Sequence, residues 1–85
     1  LFLNEAIEAL PYVTYPNPTG SMCYILTKGN KPIRVEIRDS FGKLVYDIDN
    51  YMSNTAIDLH QLKSGLYFLQ IYDRGKKYTE KLIVN

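Results

Sequence analysis

The first chemistry this sequence could offer is a nucleophile and its base, and with one Cys and one His the sole combination is Cys23 with His60. Such a dyad needs hydrogen-bond reach, a third orienting group and an oxyanion site. Cys23 lies instead in the apolar run Met22 to Thr27, where a free Cys behaves as a small buried hydrophobe. One Cys also excludes an internal disulfide, and one His with it excludes a His/Cys zinc cluster. Among the carboxylates, Asp39, Asp47, Asp49, Asp58 and Asp73 fall at turns or strand ends. Calcium needs roughly six or more converging oxygens, and no loop of ligand spacing surrounds Asp47 and Asp49. Turn chemistry explains Asp39 and Asp73 better, because a carboxylate there accepts from local backbone amides.

Arg74, Lys76, Lys77 and Lys81 gather near one hairpin with Tyr72 and Tyr78 beside them. That combination is a weak nucleic-acid signal. Against it stands a formal net charge of +1, from 10 Lys plus Arg and 9 Asp plus Glu. Near-neutrality disfavours nucleic acid or an anionic membrane as the main partner. Lysines that guard a strand edge against aggregation account for the cluster. Eight tyrosines without tryptophan leave room for surface contact, so a binding or adhesion module reaching carbohydrate or protein through Tyr24 or Tyr72 is the alternative function. Asn17-Pro18-Thr19 is no glycosylation acceptor, since Pro occupies its middle position.

The elements that must hold these residues are short and β-prone. Hydrophobic residues form 46% and charged residues 22% of 85 residues, the balance of one small globular domain. No apolar stretch is long enough for a bilayer-spanning helix. Asn4 to Leu10 has a weak helical tendency ended by Pro11, and residues 1–11 read as a linker. The chain starts at Leu1 without methionine, which reads as a piece of a longer protein, whereas Lys81 to Asn85 looks like a natural C-terminus. From Tyr12 the runs are Tyr12 to Tyr15, Met22 to Thr27 (closed by Gly29-Asn30), 33–38, 43–48, Thr55 to Leu59, 66–72 and Tyr78 to Val84, separated by turn residues. Asp49 to Ser53 reads as a polar connection.

In 33–38, Ile33, Val35 and Ile37 alternate with Arg34, Glu36 and Arg38, the period of a half-buried strand. Seven strands without crossover helices favour an antiparallel two-sheet sandwich, with 66–72 central. The expected core is Ile33, Val35, Ile37, Val45, Ile57, Leu59, Leu62, Tyr67, Leu69, Ile71 and Ile83, with Ile25 a weaker member. The facing of 43–48 is open, because Leu44, Tyr46 and Ile48 compete with Val45.

Four motifs follow in order: Tyr15-Pro16-Asn17-Pro18-Thr19, then Asp39-Ser40-Phe41-Gly42-Lys43-Leu44-Val45, then Leu62-Lys63-Ser64-Gly65-Leu66-Tyr67 running on to Ile71, then Lys81-Leu82-Ile83-Val84-Asn85. This succession resembles the type A C-terminal sorting domain of the type IX secretion system of Bacteroidetes, over about residues 12–85. The resemblance implies an Ig-like sandwich of seven strands and a non-catalytic address label with no cofactor. It implies a cargo protein upstream that crosses the periplasm and is carried over the outer membrane by a translocon. A sortase-like protease then removes the label, within roughly Asn4 to Pro11, leaving the cargo at the surface or outside the cell. Pro16, Asn17 and Pro18 match the opening motif, Asp39, Gly42, Lys43 and Val45 the middle one, and Gly65 and Tyr67 the third. Lys81, Leu82, Ile83 and Val84, with Asn85 after them, match the segment that the family needs for export. Leu66 departs conservatively from the commoner Ile or Val, and Cys23 matches no family role. A last strand can be read by pairing with a partner's edge or by lying in a groove, whereas Gly42, Gly65 and Tyr67 have an ordinary folding role to fill first.

Overall fold

The computed structural model describes residues 12–29 and 31–85; residues 1–11, read above as a linker, and Asn30 lie outside the described residues. The described chain folds into seven strands: β1 (Tyr12–Tyr15), β2 (Met22–Thr27), β3 (Ile33–Asp39), β4 (Leu44–Tyr51), β5 (Ile57–Asp58), β6 (Gly65–Asp73) and β7 (Lys76–Val84). They form two antiparallel sheets, of order β1-β2-β5 and β4-β3-β6-β7. Buried apolar residues occupy every second position along β3, the middle of β6 and the end of β7, so the sheets have one face each to bury, and the two faces close on each other. The expected sandwich is the fold observed, with β6 central between β3 and β7.

The core holds Cys23, Ile25, Ile33, Val35, Ile37, Tyr51, Ile57, Leu59, Tyr67, Leu69, Ile71, Leu82 and Val84. Val45 and Leu62 are half-buried against it. Ile83, expected inside, is exposed, and Leu82 and Val84 take its place. The cause is the β6–β7 hairpin. Its two-residue turn, Arg74-Gly75, has positive φ at both positions (52° and 81°), the geometry that matches strand twist. The turn sets Asp73 opposite Lys76, and the register then carries Tyr67 to Leu82 and Leu66 to Ile83. Residues opposite each other share a face, so a buried Tyr67 buries Leu82 and turns Ile83 outward.

β4 runs three residues further than expected, to Tyr51. Tyr46 and Ile48 sit opposite Ile37 and Val35 on the core face, while a register shift between Ile37 and Arg38 sets Leu44 opposite Arg38 on the outer face, so the competing face is split. A register shift then inserts an extra residue before Tyr51 pairs with Ile33. Asn50, at φ 54°, takes the left-handed conformation there, which Asn tolerates better than most residues. This bulge swings Tyr51 into the core three residues after Ile48. The Tyr51 hydroxyl accepts from Ile25 N (2.9 Å) and donates to Thr55 O (2.5 Å), tying the two sheets. Ser53 and Asn54 continue along the same edge of β2, where Thr27 N donates to Ser53 Oγ and Asn54 N to Ile25 O. The polar connection therefore finishes a strand edge that the two-residue β5 is too short to cover.

Candidate recognition surface at the last strand

The four motifs, separated by up to 66 positions along the chain, meet at one end of the sandwich. β3 ends with Asp39 opposite Tyr67. Tyr67 stands opposite Leu82, and Gly65 opposite Val84. Thr19 bridges to Val84 in parallel fashion from the other sheet's connection.

Asn17 and Thr19 act on the free edge of β7. The Asn17 carboxamide donates from Nδ2 to Lys81 O (2.7 Å) and accepts at Oδ1 from Ile83 N (3.0 Å). A primary amide carries one acceptor and two donor hydrogens, so this side chain stands in for a peptide unit of a neighbouring strand. Thr19 N donates to Ile83 O and Asn85 N donates to Thr19 O, both at 2.8 Å. Lys81 O, both backbone groups of Ile83 and Asn85 N are thus already paired. Edge pairing with a partner, one of the two modes expected for this strand, is blocked along 81–85. Flanking Asn17, both Tyr15-Pro16 and Asn17-Pro18 are cis. Thr19 is fully buried, a contributor that the motif contained but residue matching did not single out.

The middle motif is a turn built around one carboxylate. Asp39 Oδ1 accepts from Phe41 N and Lys43 N at 2.9 Å each, while Asp39 N donates to Lys43 O. Gly42 completes it at φ 89°. A Cβ there would meet nothing within 4 Å, so glycine is required by backbone conformation and not by space. Lys43 is exposed and Val45 half-buried. In the third motif Gly65 opens β6 at φ 153°. Tyr67 is buried, with its hydroxyl donating to Lys63 O at 2.7 Å. Leu82 and Val84 face the core, leaving Lys81 and Ile83 on the outer face.

The same outer face carries a polar network at its centre. Glu36, expected in water, is buried beneath its neighbours. It pairs with Arg34 (3.1 Å) and Arg38 (3.3 Å) and accepts from the Tyr72 hydroxyl (3.0 Å). Arg34 also holds Asp47 through two bonds and reaches Asp49 at 3.8 Å. The carboxylate pair weighed as a cation site is therefore turned to an arginine. Among the described residues no group of three or more His, Cys, Asp or Glu converges.

Cys23 and His60 do not form a reactive pair. Cys23 is fully buried in β2, and burial pushes its thiol up to about 11, which keeps it protonated and unreactive. His60 is exposed, its Nδ1 2.7 Å from Asp58 Oδ1. The His60 backbone amide and ring together hold the Asp58 carboxyl below its usual range. The tyrosines are also committed. Tyr12 donates to Asp73 (2.5 Å), Tyr15 to Asn54, Tyr46 to Asp58 O, and Tyr72 to Glu36. Tyr24 stacks on Tyr15, and Tyr78 packs edge-on against Tyr12. Their number reflects internal anchoring, in which a ring packs while its hydroxyl ties one element to another. A cleft of about 330 Å³ lined by Tyr12, Lys28, Lys31, Asp73 and Arg74 lies by the β6–β7 turn, at the opposite end from the motifs.

A family model described as the secretion system C-terminal sorting domain matches residues 13–85. Among solved structures the chain is similar to PorZ, described as an essential bacterial surface component of the type IX secretion system of Porphyromonas gingivalis. The superposition has a TM-score of 0.65 at 22% identity and covers 87% of this chain but 11% of PorZ. That likeness establishes a shared fold. No curated protein matches the chain.

Proposed function

Because the chain belongs to the family of secretion system C-terminal sorting domains, we propose that it carries a larger cargo protein from the periplasm across the outer membrane, as a non-catalytic signal of the type IX system. The observation that carries this reading is the family match over residues 13–85. The translocon reads the surface around Lys81 to Asn85. Residues 12–85 form the sorting domain, and residues 1–11 the linker to the cargo. A sortase-like protease cuts that linker between Asn4 and Pro11 once the cargo is outside. Pro16, Asn17, Pro18, Asp39, Gly42, Val45, Gly65 and Tyr67 serve the signal indirectly, by shaping the end of the sandwich that presents the tail, and Lys43 stands exposed at that end as part of the surface itself. The burial of Cys23 and the engagement of His60 by Asp58 support a label without catalysis.

The test is a reporter bearing an N-terminal signal peptide and residues 1–85 at its end. In a host with the type IX system the reporter reaches the surface or medium, and in a strain lacking the translocon it stays in the periplasm. Equal surface delivery in both strains would overturn the sorting role. Mass spectrometry of the delivered reporter should find its new end between Asn4 and Pro11; an intact domain after export would remove the cleavage step.

A further inference from the structure

We propose that the signal is read as a folded side-chain surface, an apolar patch with a cationic rim spanning the four strands of the larger sheet, and that its occupant is a protein surface offering apolar groups with carboxylates. This rests on the sorting role above. Three ways of reading the tail are open to a partner: its backbone edge, its inward side chains or its outward ones. Asn17 and Thr19 occupy the edge at Lys81, Ile83 and Asn85. Leu82 and Val84 are 0% and 3% exposed. Lys81 and Ile83 remain.

Their neighbours across the sheet extend the patch well beyond the tail. Leu66 lies opposite Ile83, and Phe68 opposite Lys81. Arg38 lies opposite Phe68 on β3, and Leu44 opposite Arg38 on β4. Ile83, Leu66 and Leu44 are 45%, 40% and 38% exposed on the four-stranded sheet. Exposed aliphatic groups on a sheet, ringed by charge, have the make-up of a protein interface. The rim is cationic, because Lys81 and Lys43 are exposed while Glu36, the nearest carboxylate of this face, is neutralised by Arg34 and Arg38. Carboxylates on the partner complement that rim. A whole-chain charge of +1 is too small for an anionic membrane or nucleic acid to be the occupant.

The decisive positions are those outside the tail. In the reporter fusion, Leu66→Thr and Leu44→Thr keep a β-favouring residue on an exposed site, and each should lower surface delivery at least fivefold. Ile83→Thr and Lys81→Glu should do the same. Leu26→Thr, equally exposed on the other sheet, should deliver normally. Melting curves of the purified fusions check that each variant is folded at the growth temperature. Wild-type delivery with full export of both Leu66→Thr and Leu44→Thr would overturn the surface reading in favour of a linear tail. A wild-type fusion that is not exported at all would instead strike the sorting role. A photo-cross-linker at position 66 should form adducts with protein and one at position 26 should not; adducts to lipid, or to protein from position 26 alone, would also overturn the assignment.

Discussion

At the scale of single residues, Asn17 is the clearest case of a motif position with a physical task. Its carboxamide replaces a missing strand neighbour for Lys81 and Ile83. Each such bond contributes about 1 kcal/mol net. Asn17→Ala should therefore lower unfolding free energy by about 1–2 kcal/mol, the lower figure applying if water reaches the freed groups. Urea denaturation measures this, and an unchanged midpoint would deny the clamp its stabilising role. Asn17→Asp keeps the acceptor for Ile83 N but sets a carboxylate against Lys81 O, so it should not restore the wild-type midpoint. The sequence displays the asparagine between two prolines. It does not display the partner backbone, which lies 64 and 66 positions away.

At the scale of elements, turns decided more than strands did. The alternation of Ile33, Val35 and Ile37 was sufficient to orient β3, because one face in water and one in the core is all that a period of two requires. Tyr67, Leu69 and Ile71 oriented β6 in the same way. β7 is different, since Tyr78 to Val84 offers Ile83 against Leu82 and Val84. The Arg74-Gly75 turn settles the choice through register: its residues are legible in the sequence, but the facing of Ile83 depends on the partner residue that register sets opposite it. In β4 the bulge at Asn50 broke the period, so Tyr51 was missed as a core residue. The Asp39 turn follows its sequence closely, with Gly42 at positive φ. Gly42→Ala should cost about 1–2 kcal/mol, the penalty for a side chain in left-handed backbone. Since no atom obstructs the new methyl, Gly42→Asn should recover part of the loss, measured by thermal melts. Equal destabilisation by both would point to a steric cause.

At the scale of the whole molecule, Tyr12 joins the sheets at the end opposite the motifs by donating to Asp73. That bond, with Arg74 beside it, holds the Asp73 carboxyl below the ordinary carboxylate range. A carboxyl depressed by folding adds stability above its unfolded value, about 3.9. The contribution is lost as pH falls through the lower folded value. Asp73→Asn should accordingly flatten the fall in melting temperature between about pH 5 and pH 2 without abolishing it, since the Asp58 carboxyl is also held low. A profile identical to wild type would show that the tether is not acid-sensitive. By itself the sequence determined the class of fold, the strand list and the family, since periodicity, turn residues and motif order are local properties written along the chain. Tertiary structure alone decided which tail residues are visible. Visibility depends on the strand opposite, the edge beside it and the sheet beneath it. Those neighbours come from Asn17, Leu66 and Tyr67, which only folding brings together.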